Sequence, residues 1–317
     1  MTRFAAIDCG TNSIRLLISD VRDVGGVLEF TELHRVMEIV RLGQRVDETG
    51  EITSEALQRV EQALHGFTDL MDREGVTQVR MVATSAARDA KNRDEFFALT
   101  ERALKPWGAQ AEVITGAEEA RLSFRGAVDD LDPATGPFAV IDIGGGSTEV
   151  IVGDSDGTIL GSTSEPMGSV RLTERFLQDS PPTDDQLAAA REYVADLAER
   201  IIAEVPVNKA QTVVGCAGTF TTLSAVAQGL ETYDPAQIHL SRLRCDALRS
   251  LNESLLRQSS EILAADPVMH PGRADVFAGG LVVVDAIMDI CEGADEVVIS
   301  EKDILDGIIA GLVDSAS

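Results

Sequence analysis

Apolar positions along this chain follow two rhythms. Residues 4–7 and 138–141 are unbroken apolar runs that read as buried strands, and residues 147–152 alternate as a second strand after the latter. Leu57, Val60, Leu64, Phe67, Leu70 and Met71 recur instead at three-and-four spacing behind Thr53 and Ser54, either of which can cap a helix. Leu187, Ala190, Val194, Leu197 and Ile201 repeat that stripe behind Thr183, which forms a capping box with Gln186. The same criteria predict strands within 27–40 and over 78–83, 112–114, 158–163 and 296–300. They predict helices over 93–104, 242–264, 276–291 and 303–313, with others opening at 116 and 167. Gly25 and Gly26 mark a turn, and residues 41–45 and 84–89 read as loops. The polar, turn-rich stretch 129–136 is the expected crossover between two domains, residues 1–130 and 131–317.

One design occurs twice. The strand 138–141 delivers Asp142, three glycines (Gly144, Gly145, Gly146) turn the backbone, and Ser147, Thr148 and Glu149 open the return strand. Near the start, Asp8, Gly10, Thr11, Asn12 and Ser13 repeat the pattern at an offset of 134 residues. A turn without Cβ atoms lets backbone N–H groups crowd around an anion, and Ser147 and Thr148 add hydroxyl donors. Asp142 and Glu149 offer carboxylates to a divalent metal. The repeat reads as an internal duplication, with two phosphate loops bracketing a phosphate chain between two domains.

Three further strand ends are polar. Arg88 can reach a phosphate oxygen with its planar fork, or pair with Asp89 or Asp94 on the surface. Glu118 and Glu119 stand in the first turn of a helix, where the dipole favours them, and helical neighbours diverge so that only one can face a cleft. Gly218 and Thr219 form a strand–turn–helix corner that suits a phosphate or nucleotide, or simply closes strand on helix. His270 reads as a structural loop residue.

Composition narrows the partners. The 317 residues suffice for two cores, and no apolar run approaches the roughly 20 residues of a membrane span. Four scattered cysteines without metal-ligand spacing fit a reducing cytoplasm. A net charge of −26 disfavours nucleic acid and anionic membranes as partners, and with a polyanionic substrate it requires either arginines and metal that reverse the charge locally or a short substrate.

Taken together, Asp8-x-Gly10-x-Asn12-Ser13, Ser85-Ala86-x-Arg88, Gly116-x-Glu118-Glu119-Ala120 and Asp142-x-Gly-Gly-Gly-Ser147-x-Glu149 resemble the signature segments of the exopolyphosphatase / guanosine pentaphosphate phosphohydrolase family, its short actinobacterial members in particular. The likeness covers essentially the whole chain. It implies an α/β fold of two actin-like (ribonuclease H-like) domains with a central interdomain cleft. It implies Glu119 as the general base that activates water. Asp142 and Glu149, with Asp8 from the opposite loop, would hold Mg²⁺, with Mn²⁺ as a substitute. Thr11, Asn12, Ser13, Arg88, Gly144, Gly145, Gly146, Ser147 and Thr148 would bind phosphate oxygens, and Gly218 and Thr219 join them as phosphate-binding candidates.

The expected activity is release of the terminal phosphate from inorganic polyphosphate, with 5′-phosphate removal from guanosine pentaphosphate as the closest alternative. Longer relatives carry a further helical C-terminal portion, so short or medium chains are the expected substrates. A kinase of the same fold would need an acceptor site and an aspartate base. A non-enzymatic phosphate or nucleotide sensor would need the loops without Glu119. The likeness also allows a homodimer, for which the sequence shows no interface pattern.

Overall fold

Alternation along the first strand explains its unbroken apolar run. In β1 (Thr2–Cys9), Ala5, Ile7 and Cys9 enter one core while Phe4 and Ala6 enter another on the opposite face of the sheet. A strand covered on both faces needs apolar residues at every position. The structure, a computed structural model, describes residues 2–25, 27–291 and 293–316, so Gly26 of the expected turn lies outside the described residues. The chain divides into two units, one of residues up to Leu122 with those from Ile304 onward, the other Ser123–Asp303.

In the first unit, β2 (Ser13–Val24) and β3 (Val27–Ile39) continue from β1 as an antiparallel meander. β4 (Gln78–Ala83) and β5 (Ala111–Val113) add parallel strands on the other side, giving the order β3-β2-β1-β4-β5. The Ser54–Glu74 helix packs Val60, Leu64, Phe67 and Met71 on one face, with Phe96 and Leu99 of the Arg93–Leu104 helix beside them. Thr53, not Ser54, is the cap, accepting from Ala56 N. The Ile304–Ala316 helix covers the other face with Ile304, Leu305, Ile308, Ile309 and Val313. It comes so close to the chain that a Cβ at Gly307 would stand 2.1 Å from Leu122 O.

The second unit repeats the plan. β6 (Phe138–Ile143), β7 (Thr148–Gly153) and β8 (Ile159–Glu165) form the meander. β9 (Thr212–Cys216) runs parallel to β6, and β10 (Arg242–Arg244) and β11 (Glu296–Ile299) complete the order β10-β11-β9-β6-β7-β8. Ala139, Ile141 and Ile143 face a core built with the Asp184–Glu204 stripe and the Phe277–Ile290 helix. Both capping-box hydrogen bonds of Thr183 and Gln186 form.

Two local expectations are corrected. Residues 84–89 are not a loop throughout: Ser85–Asp89 is a short helix, as the good helix formers Ala86 and Ala87 are buried there. Residues 242–264 are not wholly helical, because Leu243 alternates with two arginines and pairs with β11 as an edge strand. Among the described residues no helix is long and apolar enough to cross a membrane.

Thr183→Ala removes one capping acceptor from the 21-residue Asp184–Glu204 helix. It is expected to cost about 1 kcal/mol of stability, measured as a lower urea midpoint at unchanged slope.

Candidate active site

Every candidate residue leaves the carboxyl end of a parallel strand or lies on the strand returning from it. Cys9 is in register with Ala83 and Ala83 with Val113, so the turn after β1, the Ser85–Asp89 helix and the corner after β5 emerge side by side. In the second unit Asp142 is in register with Cys216, which sets the glycine turn beside the Gly218 corner. The carboxyl ends of parallel strands are where open α/β sheets bind ligands.

In the first unit Asp8 is buried and directly opposite Arg15, whose Nη2 and Nε donate to Asp8 Oδ2 at 2.7 and 3.1 Å. The turn closes through Gly10 N to Ser13 O at 3.0 Å. Thr11 O accepts from Gly43 N at 2.9 Å, and Asn12 O accepts from Val40 N and Arg41 N at 3.0 and 2.8 Å. Gly43 is required there, since a Cβ would stand 2.3 Å from Thr11 Cγ2. Thr11 Oγ1 and Ser85 Oγ are hydrogen-bonded at 3.0 Å, joining two of the emerging segments. Glu118 and Glu119 diverge as helical neighbours must. Glu118 pairs with Arg80 at 2.7 Å, whereas Glu119, 7% exposed, meets Arg88 Nη1 at 3.4 Å. Arg88 Nη1 also donates to Ile114 O at 3.0 Å, which anchors it beside the corner.

In the second unit the corresponding closure is Gly144 N to Ser147 O, again 3.0 Å. The start of the Ser169–Phe176 helix then ties down the turn's carbonyls. Ser169 N donates to Gly144 O at 3.0 Å, and Val170 N and Arg171 N donate to Gly145 O at 2.9 and 3.1 Å. Arg171 Nε donates to Gly146 O at 2.9 Å. In a planar trans peptide the C=O and the following N–H point oppositely. The N–H groups of Gly145, Gly146 and Ser147 therefore each point away from the donor that holds the preceding carbonyl. Thr148 is fully buried and donates its hydroxyl to Met167 O, so this hydroxyl backs the turn.

Asp142 and Glu149 are directly opposite partners across the hairpin, and both are buried. Ser123 Oγ donates to Asp142 Oδ2 at 2.7 Å and Ser164 Oγ to Glu149 Oε1 at 2.6 Å. Like charges directly across an antiparallel pair repel, and a divalent cation relieves that repulsion. Their oxygens are the hard donors that Mg²⁺ accepts alongside waters and substrate phosphates, so the donor set fits such an ion. Among the described residues, no group of three His, Cys, Asp or Glu side chains gathers to hold a metal unaided.

Gly218 lies flat against Arg273: a Cβ there would stand 2.1 Å from its Cζ, and Arg273 Nη1 donates to Gly218 O at 2.8 Å. Thr219 is buried against Gly280, and Ala217 before them holds a left-handed φ of 61°. His270 is structural, its Nδ1 accepting from Gly272 N. Sequence reasoning missed Arg15, Ser123, Ser164 and Arg171. Only Arg15 left a signal, since the 134-residue offset places it where the second hairpin has Glu149.

A profile described as the Ppx/GppA phosphatase family matches residues 17–316. The chain is 49% identical to "Exopolyphosphatase 2" of Mycobacterium tuberculosis, over 98% of this chain and 99% of that protein. Among solved structures, an "exopolyphosphatase-like protein" matches with a TM-score of 0.92 at 34% identity, covering 100% of both chains. The Aquifex aeolicus Ppx/GppA family member matches with a TM-score of 0.81 at 29% identity, over 100% of this chain and 99% of that one.

Gly168→Ala would push a Cβ to 2.3 Å from Gly145 C and O. The variant is expected to lose about 1–3 kcal/mol of stability and to bind inorganic phosphate about tenfold more weakly. Urea unfolding and calorimetric titration check the two effects separately.

Proposed function

The chain belongs to the Ppx/GppA phosphatase family, and from that membership we propose that it is an exopolyphosphatase, hydrolysing the terminal phosphoanhydride of inorganic polyphosphate to release orthophosphate. The observation that carries this reading is the adjacency, in one hairpin, of a glycine turn whose carbonyls are tied down from outside and a buried pair of opposed carboxylates. Phosphate oxygens suit the first and a hard cation suits the second. Near-complete coverage of a relative named for polyphosphate favours that substrate over guanosine pentaphosphate. Both present a linear phosphate end, so the second stays as the alternative.

In the proposed reaction Glu119 accepts a proton from water as that water's oxygen bonds to the terminal phosphorus. The bridging P–O bond breaks, and the shortened chain leaves with the bridging oxygen. Arg88, beside Glu119, and the turns at 11–13 and 144–147 donate to phosphate oxygens. Asp142 and Glu149 would hold the cation, which we take to be Mg²⁺ with Mn²⁺ as a substitute, while Asp8, which the likeness adds to that set, is paired with Arg15. When bound, the cation neutralises charge on the phosphates. Ser123 and Ser164 orient two of those carboxylates. The four cysteines are free thiols, which supports a reducing, cytoplasmic setting.

The test is orthophosphate release with Mg²⁺ from short polyphosphate, long polyphosphate, guanosine pentaphosphate and ATP in parallel. Polyphosphate is expected to be turned over fastest. A preference for the pentaphosphate would replace this reading with the alternative, and no release from any substrate would remove both. Glu119→Gln is expected to lower kcat by about 10²–10⁴-fold with binding largely kept, and wild-type turnover would exclude it as the base. Asp142→Asn is expected to raise the Mg²⁺ concentration needed for half-maximal rate by about tenfold or more. An unchanged requirement would take Asp142 out of the ligand set.

A further inference from the structure

Three peptide units of the second turn have their carbonyls tied down, and they are not held alike. The Gly144 and Gly145 carbonyls accept from backbone amides of residues 169–171. The Gly146 carbonyl accepts from a side chain, Arg171 Nε. Because the Gly146 oxygen and the Ser147 N–H belong to one planar unit, whatever holds the oxygen sets the direction of that N–H. We infer that Arg171 is a positioning residue for substrate: its guanidinium fixes the Gly146–Ser147 peptide so that the Ser147 N–H completes the row of donors to a phosphate chain. This rests on the polyphosphate reading given above.

The first hairpin supports the inference independently. Asn12 occupies there the place of Gly146, and its carbonyl is held as well, by Val40 N and Arg41 N. Both copies of the turn thus immobilise the same peptide from outside the hairpin. In the first copy the following backbone performs this task, and in the second a cation does. That choice adds a second effect. A guanidinium hydrogen-bonded to the turn places a permanent positive charge beside the anion site, in a chain of net charge −26. Arg171 itself is half-buried at the start of its helix, with Val170 and Leu172 packed on either side, so its backbone position is fixed.

The experiment compares wild type, R171A and R171K, each as the full chain with Mg²⁺. Calorimetry measures binding of imidotriphosphate, the non-hydrolysable analogue of tripolyphosphate, and steady-state kinetics measure tripolyphosphate hydrolysis. R171A is expected to bind the analogue about tenfold or more weakly, with KM rising by a similar factor and kcat falling less. Added guanidinium ion, but not tetramethylammonium, is expected to restore part of that loss, which a purely structural defect would not show. R171K, which keeps the charge without a planar Nε donor, is expected to fall between the two. An R171A that binds the analogue within about twofold of wild type, or a loss that guanidinium does not reduce, overturns the inference. Should R171A not fold, R171K decides: wild-type affinity at wild-type melting temperature overturns it. Analogue binding and wild-type orthophosphate release are separate readouts, so failure of this inference is distinguishable from failure of the polyphosphate reading.

Discussion

One hydrogen bond closes each of the two hairpins, Gly10 N to Ser13 O and Gly144 N to Ser147 O, both 3.0 Å. It turns the chain within a few residues of a buried strand end. The aspartate at that end and the residue opposite it on the returning strand are thereby forced into register. The inner peptides of such a tight turn cannot bond to one another, so their carbonyls need partners from elsewhere. Residues 40–43 supply them in the first unit and residues 169–171 in the second. The need to satisfy those carbonyls explains why a loop and a helix start are drawn onto the turns, and why Gly43 and Gly168 carry no side chain.

The same frame carries opposite charge patterns in its two copies. Asp8 faces Arg15, and the pair neutralises itself. Asp142 faces Glu149, and like charges in that relation disfavour one another. A single position of the repeat thus separates a hairpin with an ion pair across it from one with two carboxylates across it. Ser123 and Ser164 hydrogen-bond to those two carboxylates and orient their oxygens.

Much of this was legible in the sequence because periodicity and turn chemistry are local. The two strand–glycine–strand hairpins, the Thr183 capping box and the stripe of the Ser54–Glu74 helix follow from residues within a few positions of each other. So did the divergence of Glu118 and Glu119, since a helix spaces neighbours by about 100°. What stayed hidden acts at a distance. Ser123 meets Asp142 across 19 positions, Ser164 meets Glu149 across 15 and Arg171 meets Gly146 across 25. A serine or an arginine carries no local mark of such a partner. Nor does the apolar stripe of the last helix say which sheet it covers, because amphipathicity gives a face and not an address. The strand β10 escaped for a third reason: a three-residue edge strand is shorter than any period can establish.

The mixed anchoring of the glycine turn also has a genetic meaning. Carbonyls held by backbone amides are indifferent to which side chains surround them, so short of a proline almost any substitution at 169 or 170 leaves those bonds available. The Gly146 carbonyl has no such insurance, for its hydrogen bond from Arg171 is written in a single codon. A change at 171 therefore removes a hydrogen bond from the turn, whereas the backbone bonds from 169 and 170 survive a change of side chain.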